Sequence, residues 1–285
     1  MGDIANVPLY SSEEVYRPIF EQDSALLEVQ IGCSWGRCKF CDFPNDGYRE
    51  LPLEEIELKA QQLAPHAQGK ARMFLLGANP MHYTAVKLLK IIQIVLRYMP
   101  WIEGFSMYSR YTDVLGKTDQ ELQLLHECGL KELHIGMETG YQHLLDYMDK
   151  GVRIPAAELA CKQLREHGID YTFTMISGLG GQNMSPEHAY HSAVFLNRTQ
   201  PKRLWISRLL VWPHTPLAAL VSRGEFHELT PKQRLEELQR LTDMLELEDC
   251  EFVDSTVLDK YTLRAYLPTQ LPWLRGMIAK LRETG

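Results

Sequence analysis

The stretch IGCSWGRCKFCDF, residues 31–43, places three of the chain's six cysteines within nine positions, spaced Cys-x4-Cys-x2-Cys. It runs on directly from a β-type segment, ALLEVQI (25–31), so Cys33 falls at the exit of a first strand. In a parallel α/β sheet that exit edge is where sites are built. Further along, RMFLL (72–76), GFSMYS (104–109), ELHIGME (132–138), DYTFTMIS (170–177) and RLWISRLLV (203–211) read as strands too, with helical segments between them.

The helices carry start and stop signals. Thr118 with Glu121 and Thr139 with Gln142 both read as capping boxes, and Gly129 closes the first of these helices. Pro155 suits the first turn of a helix ending near Gly168, the pair Ser185 and Pro186 suits the next start, and Thr230 with Gln233 opens an amphipathic helix to about Leu247. Six strand–helix units predict an α/β fold with right-handed crossovers. A closed eight-stranded barrel typically takes about 250 residues, so the expected architecture is a partial (βα)6 barrel. No Gly/Ser linker marks a second domain. Residues 1–247 therefore read as the barrel with its lead-in, and 248–285 as a short helical or extended tail packed on it.

With 285 residues, 45% apolar and 24% charged, the chain has the makeup of a globular enzyme. No apolar run approaches the roughly 20 residues of a membrane span. The opening MGDIANVPLYSSEEVYRPIF has acidic residues and prolines where a secretory leader needs a basic start and an unbroken apolar stretch. The expected compartment is the cytoplasm, where thiols stay reduced and clustered cysteines serve metal binding or catalysis. A net charge of −7 supplies no broad basic face, so neither nucleic acid nor a membrane is an expected partner.

Four readings of the cysteine loop compete. A structural zinc site needs four ligands, and the next His or Cys downstream is His66. Cys38 and Cys41 match a redox Cys-x2-Cys pair but leave Cys33 unexplained. Unrelated structural thiols are a third reading. A [4Fe–4S] cluster held by three thiolates is the fourth, with one iron left open for a ligand. Spacing alone leaves all four standing. Cys128, Cys161 and Cys250 lack ligand spacing and read as plain buried thiols.

Taken in order, these segments resemble the radical S-adenosylmethionine (SAM) superfamily, whose usual signature is Cys-x3-Cys-x-aromatic-Cys after the first strand of a (βα)6 barrel. Phe40 fills the aromatic place; one extra residue separates the first two cysteines, as in a subgroup with GCSxxxCxFC related to elongator-like and coproporphyrinogen-oxidase-like cores. MFLLGANP (73–80) is similar to the turn that meets the amino group of SAM, which implies contacts from the carbonyls of Gly77 and Ala78, with Asn79 in the place of an acidic residue. IGMETGYQHLLDYMDKG (135–151) resembles the fourth-strand segment beside the methionine moiety and ribose and makes Glu138 a ligand candidate. ISGLGGQ (176–182) resembles the turn where Gly178 and Gly180 let the backbone approach adenine, and LLVWPHTPLA (209–218) the end of the sixth strand. Ser109 and Arg110 stand where relatives contact ribose or carboxylate. Arg208 points into the barrel if Trp205, Ser207 and Leu209 face outward.

The resemblance implies that Cys33, Cys38 and Cys41 hold three irons of a [4Fe–4S] cluster, that SAM binds the fourth, and that Phe40 packs near adenine. It implies reductive cleavage of SAM to a 5′-deoxyadenosyl radical, which abstracts hydrogen from a small or partner-presented substrate. A flavodoxin- or ferredoxin-type protein would supply the electron, with Arg37 and Lys39 as a docking patch for such acidic donors. The competing expectation is a redox sensor or electron carrier that does not cleave SAM. The catalytic residues on the substrate side are unknown: His134, His214, Tyr108 and Tyr261 are single groups with no partner motif.

Overall fold

The structure, a computed structural model, describes residues 7–12, 15–43, 47–256 and 262–284. The strands are β1 (Ala25–Glu28), β2 (Gln30–Ile31), β3 (Arg49–Glu50), β4 (Arg72–Leu76), β5 (Gly104–Ser109), β6 (Leu130–Glu138), β7 (Asp170–Ser177), β8 (Arg203–Arg208), β9 (Cys250–Asp254) and β10 (Leu263–Leu267). The helices are α1 (Leu53–Leu63), α2 (Ala85–Tyr98), α3 (Tyr111–Leu115), α4 (Asp119–Glu127), α5 (Gln142–Tyr147), α6 (Ile154–Glu166), α7 (Gly181–Thr199), α8 (Pro216–Ser222), α9 (Pro231–Asp243) and α10 (Leu271–Thr284). The main sheet runs β1-β4-β5-β6-β7-β8-β9-β10, and β2 pairs with β3 in a separate ribbon. β1 with β4, β4 with β5, β7 with β8 and β8 with β9 are parallel; β10 returns antiparallel to β9.

Each of the six expected strands forms in part or whole, but the run 25–31 is divided, Gln30–Ile31 leaving the main sheet for the ribbon, and the run 203–211 ends at Arg208; the segment 248–285 contributes β9 and β10 to the main sheet. Two helix starts differ from expectation. Thr139 caps nothing: α5 begins after Tyr141, and Thr139 Oγ1 instead accepts from Tyr141 N at 3.0 Å and meets His188 Nδ1 at 2.7 Å. α7 starts at Gly181, five residues before Pro186. A proline in a second turn leaves one carbonyl without its helical donor, and Pro186 is held inside α7 rather than at its start. The boxes at Thr118 and Thr230 are both present.

Two compact units divide the chain: Met1–Gly36, Phe43–His134 and Gln163–Asp170 in one, Arg37–Asp42, Ile135–Lys162 and Tyr171–Gly285 in the other. In the first, one face of β1, β4 and β5 is dry, with Leu27, Met73, Leu75 and Met107 at 0% exposure. The opposite face holds a buried polar network. Arg72 donates to Glu21 at 2.9 Å and to Glu132 at 2.6 Å, Ser106 Oγ donates to Glu21 Oε1 at 2.8 Å, and His134 Nε2 lies 2.8 Å from the same oxygen. His134 is thereby committed to the fold, and Tyr108 packs edge-on against Phe74. Tyr261 lies outside the described residues.

In the second unit, Phe173, Met175, Leu204 and Ile206 form the dry face of β7 and β8, and Phe195 of α7 stacks on Phe173. Arg208 shares that face with Leu204 and Ile206, whereas Trp205 and Ser207 occupy the other, half-buried one. The expectation that Arg208 points inward is thus overturned: the helix layer selects the unbroken apolar set, which reverses the phase of the alternation, and Arg208 ends exposed at the strand terminus. Among the described residues no helix is long and apolar enough to cross a membrane.

Candidate functional site

Cys33, Cys38 and Cys41 are all thiols outside any disulfide, and all are half-buried. In the first unit the start of their loop is tied to the ends of β4 and β5. Asn79 Nδ2 donates to Ser34 Oγ at 2.7 Å and to Asp113 Oδ2 at 3.1 Å, and its Oδ1 accepts from Ser34 N at 3.3 Å. Gln30 brackets the Asn79 backbone, accepting from its N at 2.9 Å and donating to its carbonyl at 3.4 Å. The Arg110 guanidinium lies 4.4 Å from the centre of the Trp35 ring, and Arg110 N donates to Asp113 Oδ2. Asn79, expected among the SAM contacts, is wholly buried and spends its amide on the loop. Asp113 gives the amide its use: a carboxylate at position 79 would repel Asp113 at this spacing, whereas the amide donates to it. An Asn79→Asp protein is expected to lose about 1–3 kcal/mol in urea unfolding, the cost of an unsatisfied buried group, with Asp113→Asn restoring most of it; an unchanged midpoint in the single variant would remove Asn79 from this role.

Gly77 backs onto Gln30, where a Cβ would stand 2.6 Å from Gln30 Cβ. Together with Ala78 it lines a small cavity bounded by Ser11, Tyr16, Glu28 and Gln30. Ser109 is buried, and its hydroxyl donates to the Arg110 carbonyl at 3.0 Å.

The end of the loop is anchored in the second unit. Lys39 N donates to Met148 O at 3.0 Å and Lys39 O accepts from Leu217 N at 2.9 Å. Phe40 packs among Leu144, Met148, Leu179, Leu209, Leu217 and Phe226, with Cys38 and Cys41 against the same cluster. Phe40, expected beside adenine, is 8% exposed within this cluster and anchors the loop through it. Asp42 lies 3.6 Å from His214.

Glu138, the last residue of β6, has φ +60, a left-handed backbone that a side chain normally avoids. Its carboxylate accepts from Lys150 Nζ at 2.6 Å, and each side chain is 10% exposed. Gly136 makes room for the pair, since a Cβ there would fall 2.1 Å from Glu138 Oε1 and 2.9 Å from Lys150 Nζ. Sequence reasoning missed Lys150; the available signal was that a buried glutamate needs a cation and that Lys150 is the one lysine in the segment 135–151. After β7 the positive φ values belong to Gly178 (+84) and Gly181 (+55), not to Gly180, which caps α7 at φ −79. Gly178 N donates to Glu237 Oε1 at 2.8 Å, a carboxylate that also accepts from Ser177 and Ser185.

The donor set suits a cluster rather than a closed four-ligand metal site: three half-buried thiols on one loop seated by backbone bonds. Of the remaining cysteines, burial pushes the Cys250 thiol up to about 12, far from a thiolate ligand.

Residues 27–193, more than half of the chain, match the family model of the Radical SAM superfamily. The tRNA uridine(34) acetyltransferase of Methanocaldococcus jannaschii is 21% identical over 119 residues, covering 41% of this chain and 22% of that protein. Among solved structures, coproporphyrinogen III oxidase (HemN) from Escherichia coli superposes with a TM-score of 0.57 at 16% identity, over 77% of this chain and 51% of that one. The methyltransferase TsrM from Kitasatospora setae, with cobalamin and a [4Fe-4S] cluster bound, gives 0.57 at 16% identity over 70% and 39%. The chain thus spans between about a fifth and about a half of these relatives. At these identities the structures establish the fold, the α/β partial barrel expected from the strand–helix pattern.

Proposed function

The chain belongs to the radical SAM superfamily, whose members use a [4Fe–4S] cluster and SAM, and from that premise we propose that Cys33, Cys38 and Cys41 hold three irons and leave the fourth for the cofactor. When bound, the reduced cluster would pass one electron to SAM, which would part into methionine and a 5′-deoxyadenosyl radical able to take hydrogen from the substrate. The protein's own work is placement. Asn79 and Arg110 hold the start of the loop through Ser34 and Trp35, and Phe40 holds its end. The pair Glu138 and Lys150 presents a fixed carboxylate and ammonium at the end of β6, chemistry suited to the ribose hydroxyls and to the carboxylate of SAM.

The observation that carries the reading is the trio of half-buried thiols that follows β2, within a chain that matches the family. In our reading the enzyme acts as a cytoplasmic oxidoreductase on a small or partner-presented substrate, with an electron from a flavodoxin- or ferredoxin-type donor that meets Arg37 and Lys39. The net charge of −7 favours such substrates over nucleic acid. The test is anaerobic: reconstitute the cluster, add dithionite and SAM, and quantify 5′-deoxyadenosine against alanine variants of Cys33, Cys38 and Cys41. Product is expected in the wild type only, with iron content falling in each variant. A reduced, intact cluster that forms no product would instead make the protein a redox sensor or electron carrier.

A further inference from the structure

The two faces of the sheet in the second unit are unequal. Phe173, Met175, Leu204 and Ile206 are at most 1% exposed. Their neighbours Thr174, Ile176, Trp205 and Ser207 point the other way and are only half-buried. Parallel pairing sets Thr174 beside Trp205 and Ile176 beside Ser207. Thr172 and Val253 on that second face are fully buried, so the half-exposed patch is local to Trp205 and its neighbours.

Trp205 is held in place there. Its Nε1 donates to Ser255 Oγ at 3.0 Å, and Ser255 is fixed in turn, donating to the Ile206 carbonyl through Oγ at 3.0 Å and through N at 3.1 Å. Beside the indole, the Thr174 hydroxyl makes no hydrogen bond to any described residue, while Ser207 Oγ spends its proton on Met175 O at 3.4 Å. A large, immobilised aromatic face next to a vacant hydroxyl is the pairing of apolar wall and orienting polar group that small-molecule sites use.

We propose that Trp205 and Thr174 form the substrate platform, and that the substrate carries a flat conjugated ring bearing a hydrogen-bonding group. The indole stacks on the ring and Thr174 fixes its orientation. The assignment rests on the radical SAM reading above and narrows it by naming the class of molecule that the radical would meet.

The experiment uses reconstituted protein with SAM bound and two primary alcohols of one carbon skeleton, naphthalene-2-methanol and its saturated counterpart decahydronaphthalene-2-methanol, measured by equilibrium dialysis. The wild type is expected to prefer the flat probe by about three- to tenfold, the range of an aromatic contact. Trp205→Leu should abolish the preference and Trp205→Phe should retain most of it. Thr174→Val should weaken both probes alike by about two- to tenfold, the loss of one neutral hydrogen bond. Equal binding of the two probes by the wild type, or a preference that survives Trp205→Leu, overturns the platform. If Trp205→Leu does not melt like the wild type, Thr174→Val decides: unchanged naphthalene-2-methanol affinity refutes the proposal. Formation of 5′-deoxyadenosine by the same wild-type sample is read separately, so failure of the radical chemistry is distinguishable from failure of the platform.

Discussion

A Lys150→Met protein is expected to lose about 3–5 kcal/mol of stability, the cost of leaving a buried carboxylate without its partner, and, with the contact proposed for this pair gone, to lose SAM binding. The stability loss follows from the 2.6 Å contact between two side chains that are each 10% exposed. It is sharpened by the backbone of Glu138, whose φ of +60 stores strain that the ion pair helps to hold. The double variant Glu138→Gln with Lys150→Met removes both charges and should recover most of the urea midpoint while SAM affinity stays lost. That split between stability and binding is what a purely structural ion pair would not produce. A single variant that unfolds at the wild-type urea concentration would show the pair to be dispensable to the fold.

Glu21→Gln is the second large effect, and it depends on pH. Burial opposes ionisation of Glu21, but the hydrogen bond from His134 and the charge of Arg72 outweigh it and hold the carboxyl at about 2, below its ordinary 4.5. A depressed carboxylate contributes stability that is complete above the unfolded value and lost as pH falls through the folded one. The stability difference between wild type and Glu21→Gln should therefore be about 3 kcal/mol near neutral pH and shrink steadily between pH 4.5 and about 2. Urea titrations of both proteins across that window measure it directly. A difference independent of pH would mean that Glu21 acts through packing rather than charge.

Much of this architecture is legible in the chain. The β-type runs at 72–76, 104–109 and 170–177 are strands with those bounds, because dry sheet faces demand apolar residues at every second position and turns demand their own residues between. The capping boxes at Thr118 and Thr230 are equally local: a side-chain oxygen three residues from an amide needs nothing else from the fold. Where the local signal had a second use, the reading failed. Thr139 has the spacing of a cap, but its hydroxyl belongs to His188, which is distant in sequence. Pro186 reads as a helix start, yet α7 begins at Gly181. Phe40 and Asn79 carry the family pattern, but whether a side chain faces a cofactor or braces a loop depends on neighbours such as Leu217 and Asp113, which no local window contains.

Residue pattern alone sets the six core strands with helices between them, the place of three thiols after the first strand run, and through them the family, while the β2–β3 ribbon and the strands β9 and β10 carry no such signal. The legible features depend on spacing along the chain and on residue type, which are fixed before anything packs. Packing chose which face of β8 is covered, and so sent Arg208 outward and left Trp205 half-buried. It alone paired Glu138 with Lys150 across a glycine and gave the amide of Asn79 to Ser34. Burial and ion pairing are properties of where separate segments meet, and a linear pattern holds only one side of each such contact.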